Sequence, residues 1–303
     1  MYTSTCFLLL SLIAILLTLA STAAAPTYSE ETAKYAVDFS GAAYCAGTLG
    51  GGADEWSCKA CRQHPEVTNV TIITASSLTE TFNGYVAFDS STNQIVLSIA
   101  GTDPLNIKEW IDDLNFFKTN YDLCEEYGDS KCEVHQGFLA AYDLAKEEVR
   151  VAIHEYVNAF PTATVMVTGH SLGAALAVLA ALDLQLTQGI NIETVYTFGQ
   201  PRIGDKNFAE FAVDNLMEFR LTHYQDPVPH LPPQKLLLVP FFHHPSTEVF
   251  YSQLNSLGDY KVCTDPSGED KKCSNKFLLD VNIFNHLDYV GFNFIDNYLD
   301  CKF

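Results

Sequence analysis

The chain has 303 residues, of which 48% are hydrophobic and 18% charged. Thirty-seven acidic side chains against 17 basic ones give a formal charge of −20. That length and composition fit one large globular domain of the α/β kind. So acidic a surface argues against nucleic acid as a partner, and against electrostatic docking on an anionic membrane.

Residues 1–25 differ from the rest. Phe7 to Ala20 is an apolar run of signal-core length, too short for a comfortable membrane span. The small residues Ala20-Ser21-Thr22-Ala23-Ala24-Ala25 follow and offer a cleavage site. Met1 to Cys6 carries no Lys or Arg, a departure from the usual signal pattern. The reading is a cleaved signal over 1–25 rather than an uncleaved anchor, with a single domain over 26–303. Cys6 leaves with the signal, and eight cysteines remain: Cys45, Cys58, Cys61, Cys124, Cys132, Cys263, Cys273 and Cys301. An even count behind a secretory signal reads as four disulfides. The rival for Cys58-x-x-Cys61 is a redox or zinc site, but no second C-x-x-C completes a four-cysteine zinc site. Asn69-Val70-Thr71 is an N-glycosylation sequon if the chain is secreted.

Tyr35 to Tyr44 reads as a helix, and Gly47 to Asp54 as a Gly-rich loop. Tyr85 to Asp89 and Gln94 to Ala100 are strands around the polar turn Ser90 to Asn93. Apolar residues recur at helical spacing from Phe138 to Phe160, where Pro161 stops the helix. Val165 to Thr168, Ile192 to Phe198 and Phe219 to Tyr224 are further strands. Strands alternating with helices indicate a mainly parallel sheet covered on both faces.

The stretch Val165-Met166-Val167-Thr168-Gly169-His170-Ser171-Leu172-Gly173 organises the chain. A strand runs into Gly-x-Ser-x-Gly, and an Ala/Leu-rich helix runs out to Leu184. That is the setting of a nucleophile elbow, in which a tight turn holds Ser171 proud of the sheet. Gly169 and Gly173 let strand and helix approach without side-chain clash. The helix N-terminus points free N–H groups and its positive dipole end at the place where an oxyanion would form. His170 shares the turn with Ser171 and reads as a packing or hydrogen-bonding neighbour, not as the base.

A serine nucleophile needs a base, and the base needs a carboxylate to hold its tautomer. With an elbow, the chain order is Ser, then Asp or Glu, then His. Asp226 follows the strand Phe219–Tyr224 and lies in Asp226-Pro227-Val228-Pro229-His230-Leu231-Pro232-Pro233, a loop stiffened by four prolines. A plain turn-initiating Asp-Pro is the alternative. The candidate bases after it are His230, His243, His244 and His286. His286 is favoured over His244, because a disulfide at the nearby Cys301 would tie the segment down. His243-His244 has no companion cluster of metal ligands, so no metal is expected.

A second oxyanion donor should come from a loop after an earlier strand. Thr102, after Gln94–Ala100, is placed for it, with its N–H and its hydroxyl. Residues 103–112 then set Leu105, Ile107, Trp110 and Ile111 among charges. The choice is between a lid and a surface helix with its Trp in the core.

These residues bring a resemblance. The chain is similar to the secreted filamentous-fungal lipases, the class 3 lipases, from Tyr44-Cys45 to Cys301. The matching segments are Trp56-Ser57-Cys58-Lys59-Ala60-Cys61, Ala100-Gly101-Thr102, Asn106 to Leu114 and His135-Gln136-Gly137-Phe138. Val167 to Ala174, Gly199-Gln200-Pro201-Arg202-Ile203-Gly204, Asp226 to Pro233 and His286-Leu287-Asp288-Tyr289 continue the series. The family usually has a second Gly after the elbow where this chain has Ala174.

The resemblance implies an α/β-hydrolase fold and a triad of Ser171, Asp226 and His286. It implies oxyanion donors at Thr102 and Leu172, Asp113 supporting the Thr102 hydroxyl, and a lid over 103–112 carrying Trp110. It implies the pairs Cys45–Cys301, Cys58–Cys61 and Cys263–Cys273; Cys124 and Cys132 have no counterpart and pair by default. The expected activity is hydrolysis of lipid esters, triacylglycerols first, at a lipid–water interface. No cofactor, nucleic acid or obligate protein partner is expected. A feruloyl esterase or phospholipase on the same scaffold, or a catalytically inactive relative, stays open.

Overall fold

The structure is a computed structural model, and it describes residues 27–302 except 246, 255 and 278–280. The expected signal segment, with Cys6, lies outside the described residues. Eight strands form the main sheet: β1 Val67–Ser76, β2 Thr81–Asp89, β3 Gln94–Ile99, β4 Thr164–His170, β5 Ile192–Phe198, β6 Glu218–His223, β7 Glu248–Tyr251 and β8 Tyr260–Val262. They lie side by side in chain order. From β3 to β7 every neighbour is parallel. The flanks β1–β2–β3 and β7–β8 are antiparallel.

The helices are α1 Glu30–Ala46, α2 Ile107–Asp113, α3 Gln136–Ala159, α4 Leu172–Thr187, α5 Lys206–Asn215 and α6 Phe294–Lys302, with shorter turns between them. Strand alternation divides the apolar residues between two cores. Val86, Ile95, Leu97, Val167 and Val195 pack under α3 and α4. Tyr85, Ala87, Val96, Met166 and Tyr196 face the other way, under α1 and α6. This is the period of two that puts successive side chains on opposite faces of a sheet. The α/β-hydrolase architecture read from the sequence is the one observed.

α4 is buried from Gly173 through Leu184. Its one charge in that run, Asp183, accepts from Tyr142 Oη at 2.8 Å and from Arg150 Nε and Nη2 at 2.9 and 2.6 Å. Burial alone would raise that carboxyl, but the guanidinium and the phenol hold it below its ordinary value. Four disulfides join Cys45 to Cys301, Cys58 to Cys61, Cys124 to Cys132 and Cys263 to Cys273. These are the three pairs the resemblance implied and the pair left by default. Among the described residues no helix is long and apolar enough to cross a membrane.

Candidate active site

β4 ends at His170, and α4 begins at Leu172. Ser171, between them, has φ 59° and ψ −128°. A left-handed φ is unusual for a residue with a side chain, and such strain persists only where the surroundings impose it. The surroundings are tight. A Cβ on Gly169 would stand 2.3 Å from the Gly173 carbonyl oxygen, and one on Gly173 would stand 2.2 Å from the Ile99 oxygen. Glycine is therefore required at both flanking positions. Ser171 N donates to Phe198 O at 2.9 Å, which pins the elbow to β5.

Asp226 lies in the loop after β6, with a short 3-10 turn at Val228–His230. His286 ends a single helical turn, Ile283–His286, whose N-cap Asn282 accepts from Phe284 N. Sixty residues apart, the two meet: His286 Nδ1 lies 2.9 Å from Asp226 Oδ2. Val228 N donates to Asp226 Oδ1 at 2.8 Å, and Tyr289 Oη donates to Oδ2. Burial pushes the Asp226 carboxyl up, but the charge of His286 and these donors hold it below its ordinary value. It stays ionised, and it fixes a proton on His286 Nδ1. Nε2 is then the ring atom free to accept.

Ser171 and His286 are fully buried and Asp226 nearly so. Neither Ser171 Oγ nor His286 Nε2 has a hydrogen-bond partner among the described residues. Two buried polar atoms without partners are costly, and a role in chemistry is one explanation for keeping them. Hydrogen bonds between nucleophile and base are commonly loose before substrate binds.

The other histidines lie elsewhere. His244 donates from Nε2 to Pro229 O at 2.7 Å, and burial holds it well below its ordinary value. His230 is held down by burial and then by Arg202. Neither is hydrogen-bonded to Asp226. His170 stacks on Phe294 with ring centroids 3.7 Å apart. Its Nε2 donates to His286 O at 2.8 Å, and its Nδ1 accepts from Tyr44 Oη at 2.6 Å. Burial, and then the nearby His286, keep it neutral.

Leu172 is the first residue of α4, so its amide has no acceptor inside the helix. Thr102 is half-buried, and the adjacent Gly101 touches the elbow: a Cβ there would stand 2.9 Å from Ser171 Cβ. Leu172 thus follows Ser171 directly, and Thr102 follows the glycine that touches it. Asp113 ends α2 with an exposed side chain. Among the described residues no hydrogen bond joins it to the Thr102 hydroxyl. Trp110 is half-buried and packs against both cores. Ile107 is buried, whereas Leu105 is 55% exposed. Trp110, Asp113 and Leu172 line one cleft. Asn69 is exposed on β1, where the register with β2 shifts.

Tyr289 and Tyr44 were not assigned site roles from sequence. Nothing local separates them from the other thirteen tyrosines. Only the fold brings Tyr44, at the end of α1, against the elbow. Among the described residues, the one cluster compact enough for a metal is Glu248 with Cys263 and Cys273, and those sulfurs are bonded to each other.

A family model described as Lipase (class 3) matches residues 96–236. A lipase of Rhizomucor miehei is 34% identical over 263 residues, 86% of this chain and 68% of that one. A secreted mono- and diacylglycerol lipase of Fusarium solani is 33% identical over 234 residues, 74% of this chain and 66% of that one. The chain therefore spans about two thirds of the length of these relatives. A solved triacylglycerol lipase whose catalytic centre is a serine-protease triad superposes with a TM-score of 0.75 at 32% identity, covering 88% of this chain and 97% of that one. Fold and likeness define a serine ester hydrolase. The chain belongs to the class 3 lipases.

Proposed function

We propose that the protein is a secreted lipase that cleaves triacylglycerols through Ser171, His286 and Asp226. The observation that carries this is the 2.9 Å contact of His286 Nδ1 with a buried, ionised Asp226, beside an elbow serine at positive φ. Ser171 Oγ attacks the ester carbonyl as His286 Nε2 takes its proton. The N–H groups of Thr102 and Leu172 receive the oxyanion, each worth about 3–4 kcal/mol of barrier in comparable sites. His286 then returns the proton to the departing alcohol. Water, activated by the same imidazole, releases the acid from the acyl-enzyme.

Residues 103–112 act as a lid over this site, and the full burial of Ser171 supports that reading. Four disulfides support export to an oxidising compartment after removal of 1–25. Asn69, exposed, is open to glycosylation there.

The test is a hydrolysis panel of emulsified tri-, di- and monoacylglycerols, phospholipid, feruloyl esters and dissolved short-chain esters, with fluorophosphonate labelling in parallel. Label on Ser171 and turnover highest on emulsified triacylglycerol are expected. Preference for partial glycerides, phospholipid or feruloyl esters would reassign the substrate, and absence of label would remove the enzyme reading.

A further inference from the structure

The Asp226 loop leads into a short hairpin, Lys235–Leu236 paired with Val239–Pro240. Its two loop residues are Leu237 and Leu238, at φ 49° and 72°. Both at positive φ is the pattern of a tight hairpin turn that favours Asn-Gly, and leucine is strained there. Both side chains are 91% exposed, with Val239 64% and Leu236 50% exposed. Local folding therefore gains nothing from leucine at this tip, by conformation or by burial. A contiguous exposed apolar tip on a strained turn indicates that the side chains themselves are needed, outside the fold.

The hairpin's base is tied to the site. Arg202 Nη1 donates to His230 O and Pro232 O at 2.7 and 2.9 Å. Three residues before Arg202, a Cβ on Gly199 would stand 2.8 Å from His286 Nδ1. Past the hairpin, Phe241 lies under Lys118 Nζ at 5.4 Å, next to the 68%-exposed Phe117 that follows α2. Phe284, two residues before His286, is also 68% exposed. The tip thus rises from the same loops that carry the site.

Charge selects the occupant. From Pro227 to Thr247 there is no acidic residue and one lysine, in a chain of net charge −20. With no carboxylate of its own, this stretch can lose its water without stranding one.

We infer that the 235–240 hairpin is a fixed anchor that inserts Leu237 and Leu238 into the surface of a neutral lipid phase, beside the mouth of the site and separate from the lid. The inference rests on the lipase reading of that site.

The variant Leu237→Asn with Leu238→Gly tests it, because Asn-Gly suits the turn and should not impair folding. Partition onto triolein emulsions coated with phosphatidylcholine should fall roughly tenfold or more, since burying one leucine is worth at least that. Turnover of dissolved p-nitrophenyl acetate and the thermal midpoint should hold. Equal partition of variant and wild type would overturn the anchor while leaving the lipase reading intact. Wild type that neither binds nor hydrolyses the emulsion would remove the lipase reading, and the anchor with it. A dimer seen by sedimentation in wild type and lost in the variant, with partition unchanged, would make the tip a contact between copies and overturn the proposal.

Discussion

His170 holds His286 by its main chain: the Nε2 proton of one ring meets the carbonyl oxygen of the other residue at 2.8 Å. Tyr44 completes the arrangement by donating to His170 Nδ1. The ring is neutral, so its tautomer is fixed from both sides.

Tyr44→Phe should therefore leave a buried imidazole nitrogen unpaired. That costs about 1–3 kcal/mol of stability. Calorimetry should show the lower midpoint, and kcat on a dissolved ester should fall because the base is held less firmly. An unchanged midpoint would mean that the phenol does not hold His170.

His286→Ala should reduce turnover about 10⁴-fold or more, as removal of a triad member does in serine hydrolases. His244→Ala should lose stability only, since His244 bonds Pro229 and not Asp226. Single-turnover kinetics on both variants compare them directly, and the reverse ranking would move the base.

Glu218 gives a handle on pH. Burial pushes its carboxyl up to about 7, against the pull of Arg220. Thr197 Oγ1 donates to one oxygen at 3.0 Å, while the other has no partner among the described residues. The folded pKa lies above the unfolded one, so the native state binds the proton more tightly. Stability from this group is complete below about pH 4 and is lost as pH rises through about 7, by up to a few kcal/mol. Glu218→Gln should accordingly raise the thermal midpoint at pH 8 and change it little at pH 4. A shift equal at both values would contradict this.

The proposed lid over residues 103–112 gives an interfacial prediction. On that proposal, opening α2 would expose the apolar sides of Ile107, Trp110 and Ile111 at about 25 cal/mol per Å². A few hundred Å² then costs several kcal/mol in water and keeps the open form rare. Specific activity should rise as substrate passes its solubility limit, and Trp110 fluorescence should shift on adding oil. Simple saturation through that limit, with Trp110→Ala unchanged, would favour a soluble-ester esterase.

The elbow was legible because Gly-x-Ser-x-Gly is a compact pattern: Gly169 is dictated by Gly173 four residues on, although Gly173 answers to Ile99 on the neighbouring β3. β1 was not, since Val67–Ser76 carries Thr, Asn and Ser at exposed positions and a register shift at Asn69. β7, four residues long, is buried on both faces and shows no alternation. His286 was separable from His244 only by the ordered motifs and Cys301, because its partner Asp226 is sixty residues away. Leu236 to Val239 look like core in sequence. They are exposed because they form a two-stranded hairpin of their own, outside the main sheet.

The Cys45–Cys301 bond has a consequence for how the molecule can be cut. The bond spans 256 residues. All of the Ser171, Asp226 and His286 array lies inside that covalent ring. One backbone nick at an exposed loop therefore opens the ring without freeing a fragment. The two cut ends stay tethered through sulfur, and the array can close again around them. Release of a piece needs a second nick or a reductant, so a protease and a thiol would each be far less destructive alone than together.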